Sequence, residues 1–407
     1  MGLVVHKYGG SSVADAERIR WVANRVRCAC RRGDRVVVVV SAMGDTTDDL
    51  LKLAYEVNPN PDKRELDFLL STGEIISSTV LAMALGALGR KAISLSGGQA
   101  GIQTNSVHSR AQIEAIDPKR ILCELDNDST VIVAGFQGVT EHMDVTTLGR
   151  GGSDTTAVAL AVKLEAERCE IYTDVEGVYT ADPRLVPQAR KLSEIDYEEM
   201  LELATQGAKV IHSRAVELGM VYNMPILVSS SFSDSTGTLI RGVTDMEARN
   251  KVRGIAHDLN VAKVTVLGVP DRPGIATSLF EPLAAAAVSV DTIVQNTSVK
   301  GITDLSFTVA KTDLNEAIRI IEPVAKEINA KKCLGDSKLG KVSIVGTGMQ
   351  NTPGYASRMF RVLYDSKINI QLITTSEIRI TCIIDEDKVP TAVQALHETF
   401  ELDKVDD

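Results

Sequence analysis

Several short stretches of this sequence combine glycine with hydroxyl or charged side chains in patterns suited to holding an anion. The first is Lys7-Tyr8-Gly9-Gly10-Ser11-Ser12, between an apolar run and a helical pattern. Two glycines let backbone pass close to a ligand. The helix N-terminus adds partial positive charge and Lys7 a full one, a combination suited to nucleotide phosphates. A plain strand-to-helix turn accounts for this motif equally well. Neither GxxxxGK[ST] nor a strand-following GxGxxG occurs, so the P-loop and dinucleotide fingerprints are excluded.

Ser41-Ala42-Met43-Gly44-Asp45-Thr46-Thr47 follows a second apolar run in the same way. Hydroxyls and glycine at a strand's carboxyl end can bind phosphate or a small polar substrate. Ser71-Thr72-Gly73-Glu74 reads as a helix opening in which Ser71 caps with Glu74, unless Glu74 meets a substrate ammonium. Thr147-Leu148-Gly149-Arg150-Gly151-Gly152-Ser153-Asp154 opens the apolar helix 157–164. An arginine before two glycines at a helix start forms an anion pocket whose guanidinium fork matches a carboxylate. Asp154, one step inside, can order nearby lysines; an N-cap by Ser153 or Asp154 is compatible with this.

Two further stretches complete the set. Tyr172-Thr173-Asp174 through Gly177, Tyr179, Asp182, Pro183 and Arg184 is a polar, proline-stiffened loop that can wrap adenine and ribose or simply connect. Gly207-Ala208-Lys209 places a lysine at an expected helix start, where a cation opposes the helix dipole unless an anion binds nearby. His212 lies in an apolar pattern and reads as structural.

These motifs need a scaffold. Apolar runs at 3–7, 36–40, 92–96, 131–135, 169–173 and 226–230 lack strict alternation, as strands covered on both faces do. Helical patterns at 14–31, 63–88, 153–167, 195–205 and 209–222 alternate with them, implying a mainly parallel sheet in an α/β/α sandwich. In such sheets ligands sit beyond the carboxyl ends of the strands.

The second half has another rhythm. Lys263–Gly268, Pro273-Gly274, a helical stretch and Val288–Asn296 recur as Lys341–Gly346, Pro353-Gly354, a helical stretch and Ile368–Ser376. Each copy then adds a strand, at 304–309 and 377–384. The copies are βαββαβ units too small to stand comfortably alone, so they are expected to pack side by side.

At 407 residues the chain is expected to form two or three domains. A net charge of −10 and only 4% aromatics argue against a nucleic-acid partner, which would meet a basic or aromatic groove. The six cysteines form no CxxC and show no zinc spacing, so they read as thiols in a reducing, cytoplasmic compartment. The apolar run 36–43 is too short to span a bilayer, and no signal peptide is recognisable; no membrane role is expected.

KYGGSS, SAMGDTTDDLL, STGE, GFQG (Gly135–Gly138), TTLGRGGSDTTAVALA and TDVEGVYTADPR, in this order, resemble the aspartate kinase branch of the amino-acid kinase family. The C-terminal repeat resembles that branch's paired ACT domains. The resemblance implies a three-layer catalytic sandwich over 1–245, followed by ferredoxin-like ACT units over 246–335 and 336–407. It implies ATP-dependent phosphorylation of the L-aspartate side chain to 4-phospho-L-aspartate, the first step toward lysine, threonine and methionine.

The resemblance also implies roles. Lys7, Tyr8, Gly9, Gly10 and Ser41 would hold ATP, whose Mg²⁺ arrives with it. Thr173, Asp174, Tyr179, Asp182 and Arg184 would surround the nucleoside. Thr47, Glu74, Arg150, Gly151, Gly152 and Ser153 would bind aspartate, Glu74 at its ammonium and Arg150 at a carboxylate. Lys7 and Lys209 would stabilise the moving phosphoryl group, with Asp154 ordering both. Lysine and/or threonine would bind at an ACT interface near Asp271, Ser289, Val290, Asp291, Gln295, Tyr355, Ala356, Asn369, Ile370 and Ser376. A homo-oligomer through the ACT units is expected, and a separate regulatory chain could start at Met246. The alternatives are a kinase of the same fold acting on glutamate or acetylglutamate, and a non-catalytic amino-acid sensor.

Overall fold

The computed structural model describes residues 2–242, 252–296, 301–349 and 352–404. The backbone gathers into two compact units: Met1–Tyr179 with Lys191–Thr205 and Lys209–Asp245, and Met246–Asp407 with Thr180–Arg190 and Gln206–Ala208. The second unit thus takes two short segments that lie within the sequence span of the first. Residue 246 and the junction at 245/246 lie outside the described residues.

In the first unit the strands are β1 (Leu3–Tyr8), β2 (Arg35–Val40), β3 (Ala92–Leu95), β4 (Ile102–Thr104), β5 (Ile113–Ile116) and β6 (Thr130–Ala134). Next come β7 (Gln137–Val139), β8 (Val145–Thr147), β9 (Arg168–Thr173), β10 (Glu194–Ile195), β11 (Ile226–Ser230) and β12 (Thr238–Ile240). The helices are α1 (Ala16–Arg31), α2 (Thr46–Val57), α3 (Lys63–Ala87), α4 (Lys119–Asp126), α5 (Gly152–Lys163), α6 (Tyr197–Thr205) and α7 (Ser213–Val221).

The main sheet has the order β10-β12-β11-β9-β1-β2-β6-β3. Pairing is parallel from β11 through β3, and β12 runs antiparallel to β11. Alternation along β1 sorts its side chains between two faces. Val4 and Tyr8 pack with Ile19, Val22 and Val26 of α1 and Leu81 and Leu85 of α3, while Lys7 meets Asp154 of α5 on the other face. This is the expected α/β/α sandwich. A small second sheet, β5-β4-β7-β8, escapes sequence reading because its strands are three or four residues long.

By length and composition α3 is the one described helix that could cross a membrane. Its inner face instead buries Asp67, Ser71, Glu74, Ser77 and Ser78 within the sandwich, as in a core helix.

The second unit contains β13 (Gly254–Pro270), β14 (Val290–Gln295), β15 (Ile302–Val309), β16 (Lys332–Val345), β17 (Ile370–Ser376) and β18 (Arg379–Asp385). Its helices are α8 (Ile275–Ala285), α9 (Leu314–Glu327), α10 (Tyr355–Asp365) and α11 (Val389–Thr399). One antiparallel sheet of order β14-β15-β13-β16-β18-β17 carries both repeats. The long strands β13 and β16 join them: Val261–Leu267 pairs with Lys332–Leu339, and Gly254–Asp258 with Lys341–Val345. Each lobe therefore completes its βαββαβ pattern with half of a shared strand, and each keeps its own apolar core.

Candidate active site

The carboxyl ends of the central strands bring the glycine- and hydroxyl-rich motifs side by side. Gly9 N–H donates to the Tyr172 carbonyl (3.2 Å), Ser41 N–H to that of Tyr8 (3.1 Å) and Gly135 N–H to that of Val40 (3.0 Å). Ser231 N–H donates to the Thr173 carbonyl (2.9 Å), and Gly44 N–H to that of Gly10 (3.1 Å). Gly9, Gly10, Ser41, Gly135, Thr173 and Asp174 thus share one edge, the ligand edge of a parallel sheet. The chain turns from β1 to β2 on one side and reaches β9 on the other, so Lys7 stands where strand order reverses.

At that point Lys7 Nζ lies 2.7 Å from Asp154 Oδ1, with Lys7 9% and Asp154 8% exposed. The other Asp154 oxygen accepts the His212 backbone N–H at 3.2 Å. The ammonium is therefore aimed and largely dehydrated, a state in which its field acts strongly on a nearby anion.

Glu74 is the second buried charge. Its Oε1 accepts the Ala42 N–H at 3.0 Å, while Oε2 is buried with no hydrogen-bond partner. Burial pushes its carboxyl up to about 8, against the opposing pull of backbone donors. Gly73 permits this placement, since a Cβ there would lie 2.8 Å from that of Ala42. The capping-box reading of Ser71 with Glu74 is corrected: α3 begins at Lys63, capped by Asp62. Ser71 and Glu74 therefore sit in the helix interior, and the Ser71 hydroxyl donates to the Phe68 carbonyl (2.8 Å).

Arg150 is exposed on the loop before α5, whereas Gly152 and Ser153 are buried and Thr47 is half-buried in the first turn of α2. Gly151 is left-handed, with φ of +71°, and a Cβ there would lie 2.1 Å from the His212 ring. Gly151→Ala is expected to destabilise the protein by about 2 kcal/mol or more, left-handed strain plus a displaced ring. Gly86→Ala, where a Cβ meets nothing within 4 Å, is expected to stabilise α3 by about 0.5–1 kcal/mol. Urea unfolding of both variants checks the pair.

Lys209 is exposed but does not begin a helix; it lies in a turn before α7, which starts at Ser213 with His212 as its N-cap. The apolar pattern extended the apparent helix too far, because 209–212 is spent closing that turn. No ion pair joins Lys209 to Asp154 among the described residues; the Asp154 contact from this segment is the His212 backbone. His212 Nδ1 accepts from Arg214 N–H (3.3 Å), a structural role.

Thr173 Oγ1 donates to Asp174 (3.0 Å), and Tyr179 is half-buried opposite Lys191. Asp182 and Arg184 belong to the second unit. There Arg184 Nη2 lies 2.7 Å from Asp182 and holds its carboxyl below the usual range. Sequence reading missed Ser231, whose hydroxyl receives the Ser12 hydroxyl proton (2.8 Å) and donates to the Thr173 carbonyl (3.1 Å). The run Ser229-Ser230-Ser231 at a strand end was the available signal.

In the second unit Asp271 is exposed in the turn before α8, its N–H donating to the Gly301 carbonyl (2.9 Å). Ser289, Val290, Asp291 and Gln295 lie on or beside β14; Asn369, Ile370 and Ser376 lie on or beside β17; Tyr355 and Ala356 open α10. In pairing order β14 and β17 are the two terminal strands of the sheet, yet Val294 of β14 packs against the apolar cluster that holds Leu372 of β17. Asp291 already pairs with the buried Lys341 ammonium at 3.0 Å.

Fold and site define a member of a phosphotransferase class. Residues 2–230 match the Amino acid kinase family, and 264–323 and 342–400 match the ACT domain. The chain belongs to the amino acid kinase family, with paired ACT domains behind its catalytic unit. Within it the chain falls in the aspartokinase branch and is a kinase. It is 51% identical to the aspartokinase of Mycolicibacterium smegmatis over 99% of this chain and 97% of that one. The solved structure of E. coli aspartokinase III with aspartate and ADP matches 98% of this chain and 100% of that one, with TM-score 0.83 and 26% identity. The same E. coli enzyme with lysine and aspartate matches 98% of this chain and 99% of that one, with TM-score 0.76 and 26% identity.

Proposed function

We propose that the enzyme transfers the γ-phosphoryl group of ATP to the side-chain carboxylate of L-aspartate, forming 4-phospho-L-aspartate and ADP. The carboxylate oxygen attacks γ-phosphorus as the bond to the β,γ-bridging oxygen breaks. An ionised carboxylate is already a nucleophile, so the site needs no general base; positioning and charge neutralisation suffice. The observation that carries this reading is the buried Lys7–Asp154 pair on the same sheet edge as a Glu74 oxygen that has no partner.

Lys7 and the Gly9–Gly10 backbone would face the phosphates, with Ser41 beside them and Lys209 on the adjoining turn. Glu74 Oε2 would accept the substrate ammonium. Arg150, with Thr47, Gly151, Gly152 and Ser153, would take a carboxylate. Thr173, Asp174 and Tyr179 would meet the nucleoside; for Asp182 and Arg184 the support is the motif alone. Mg²⁺ would arrive with the nucleotide, carried on its phosphates. A coupled assay of ADP release with aspartate, with glutamate and with neither tests the assignment. Release only with aspartate is expected; preference for glutamate, or release indifferent to both, would overturn it.

We also propose feedback by lysine and/or threonine at the outer edges of the ACT sheet. The aspartokinase III complex with lysine supports a lysine effector. A second copy pairing on the β14 or the β17 edge would complete a site there and cover that open strand. Asp271→Ala and Gln295→Ala are expected to keep basal kcat within about twofold while raising the inhibitory effector concentration at least tenfold, the scale of a coupling energy of about 1–3 kcal/mol. Initial rates over a grid of lysine and threonine decide; full inhibition of either variant would remove that residue from the effector site. Six free thiols support a reducing, cytoplasmic setting.

A further inference from the structure

We infer that Asp67, which no motif singled out, is a positioning residue for the loop carrying Arg150, and that it acts through Thr147. This deepens the reading of Arg150 as the acceptor's carboxylate clamp and rests on it. Asp67 lies on the second turn of α3 and is fully buried. Its Oδ1 accepts the Thr147 hydroxyl at 2.6 Å. Its Oδ2 accepts the N–H groups of Thr147 (3.0 Å) and Ser109 (2.8 Å) and lies 3.0 Å from His108 Nδ1. A carboxylate without water is costly unless its lone pairs are satisfied, and four donors around this one do that.

The knot fixes the loop from its first residue. Thr147 gives both its N–H and its hydroxyl to Asp67, and its carbonyl accepts the Ala111 N–H (2.9 Å). Leu148 N–H donates to the Phe136 carbonyl (2.8 Å), and the Leu148 carbonyl accepts Arg214 Nη1 (2.7 Å). At the far end Gly152 N–H donates to the Gly149 carbonyl (2.9 Å). Arg150 thus projects, exposed, from a loop held at both ends. With the loop backbone already ordered, only the Arg150 side chain has freedom to lose when it grips a ligand, which is how preorganisation lowers the cost of binding.

The phosphate-facing Lys7 is held by a separate carboxylate, Asp154, so loosening the Asp67 knot should weaken acceptor binding without equal loss of nucleotide binding. Thr147→Val keeps the shape and removes the donated hydroxyl; Thr147→Ser restores it. The expected result for Val is an aspartate KM raised about tenfold, with ATP KM and kcat within about threefold. Ser should return aspartate KM to within threefold of wild type. Asp67→Asn, which keeps shape and one acceptor oxygen, is expected to fall between them. Circular dichroism and thermal unfolding of each variant establish that it is folded. A folded Val variant with unchanged aspartate KM, or one raising both KM values alike, would overturn the inference. Wild type inert toward aspartate would instead overturn the substrate assignment on which it rests.

Discussion

Lys7→Met is expected to lower kcat by about 10²–10³-fold, the usual cost of removing one preorganised group that meets transition-state charge. The loss should fall on kcat more than on either KM, because charge on the moving phosphoryl oxygens develops after binding. Lys7→Arg should not restore the rate, since a planar fork cannot replace a compact ammonium within this packing. Lys7→Met also leaves Asp154 buried without its cation, and breaking a buried pair costs about 3–5 kcal/mol. Adding Asp154→Asn to Lys7→Met should therefore recover stability but not activity. Steady-state kinetics together with urea unfolding separates the two effects.

The second large effect is at Glu74. Glu74→Gln is expected to raise the aspartate KM about 10²-fold, because the substrate ammonium would lose its buried ionic partner. That contact exists equally before and during transfer, so kcat should change much less. Burial pushes the free carboxyl to about 8, and it must ionise to meet an ammonium. In wild type the aspartate KM should therefore rise as pH falls below about 8, approaching tenfold per unit, and the Gln variant should lose this slope.

Stability follows the same group with a definite sign. The folded-state value is raised above the ordinary 4.5, so the folded protein holds this proton more tightly than the unfolded chain. Its contribution is fully present below about pH 4.5 and is lost as pH rises to about 8, by on the order of a few kcal/mol. Without substrate, Glu74→Gln should therefore be more stable than wild type at pH 8, with the difference shrinking toward pH 5.

What could be read from the sequence divides along physical lines. The central strands were legible because apolar runs such as Val36–Val40 are buried on both faces and interrupted by nothing polar. Their loop motifs were legible because a parallel sheet delivers strand ends to one edge whatever the loops contain. The ACT lobes were visible as a repeat, yet the sharing of β13 and β16 was not, since strand pairing depends on register rather than on composition. The start of α7 was misjudged because the apolar spacing of 209–212 continues a helical pattern through what is a turn. Asp67 was invisible for the opposite reason. A single aspartate inside a helix reads as a solvated residue, and only the fold brings His108, Ser109 and Thr147 onto it.

The central event of the proposed reaction is phosphorylation of the substrate's side-chain carboxylate at the Lys7 edge of the sheet. Its product is an acyl phosphate, which hydroxylamine converts to a hydroxamate. Wild-type enzyme with ATP, aspartate and hydroxylamine should accumulate aspartyl hydroxamate in step with ADP, and Lys7→Met should form almost none. ADP formed without hydroxamate, or hydroxamate formed as fast by the Lys7 variant, would contradict the proposed chemistry and the place assigned to it.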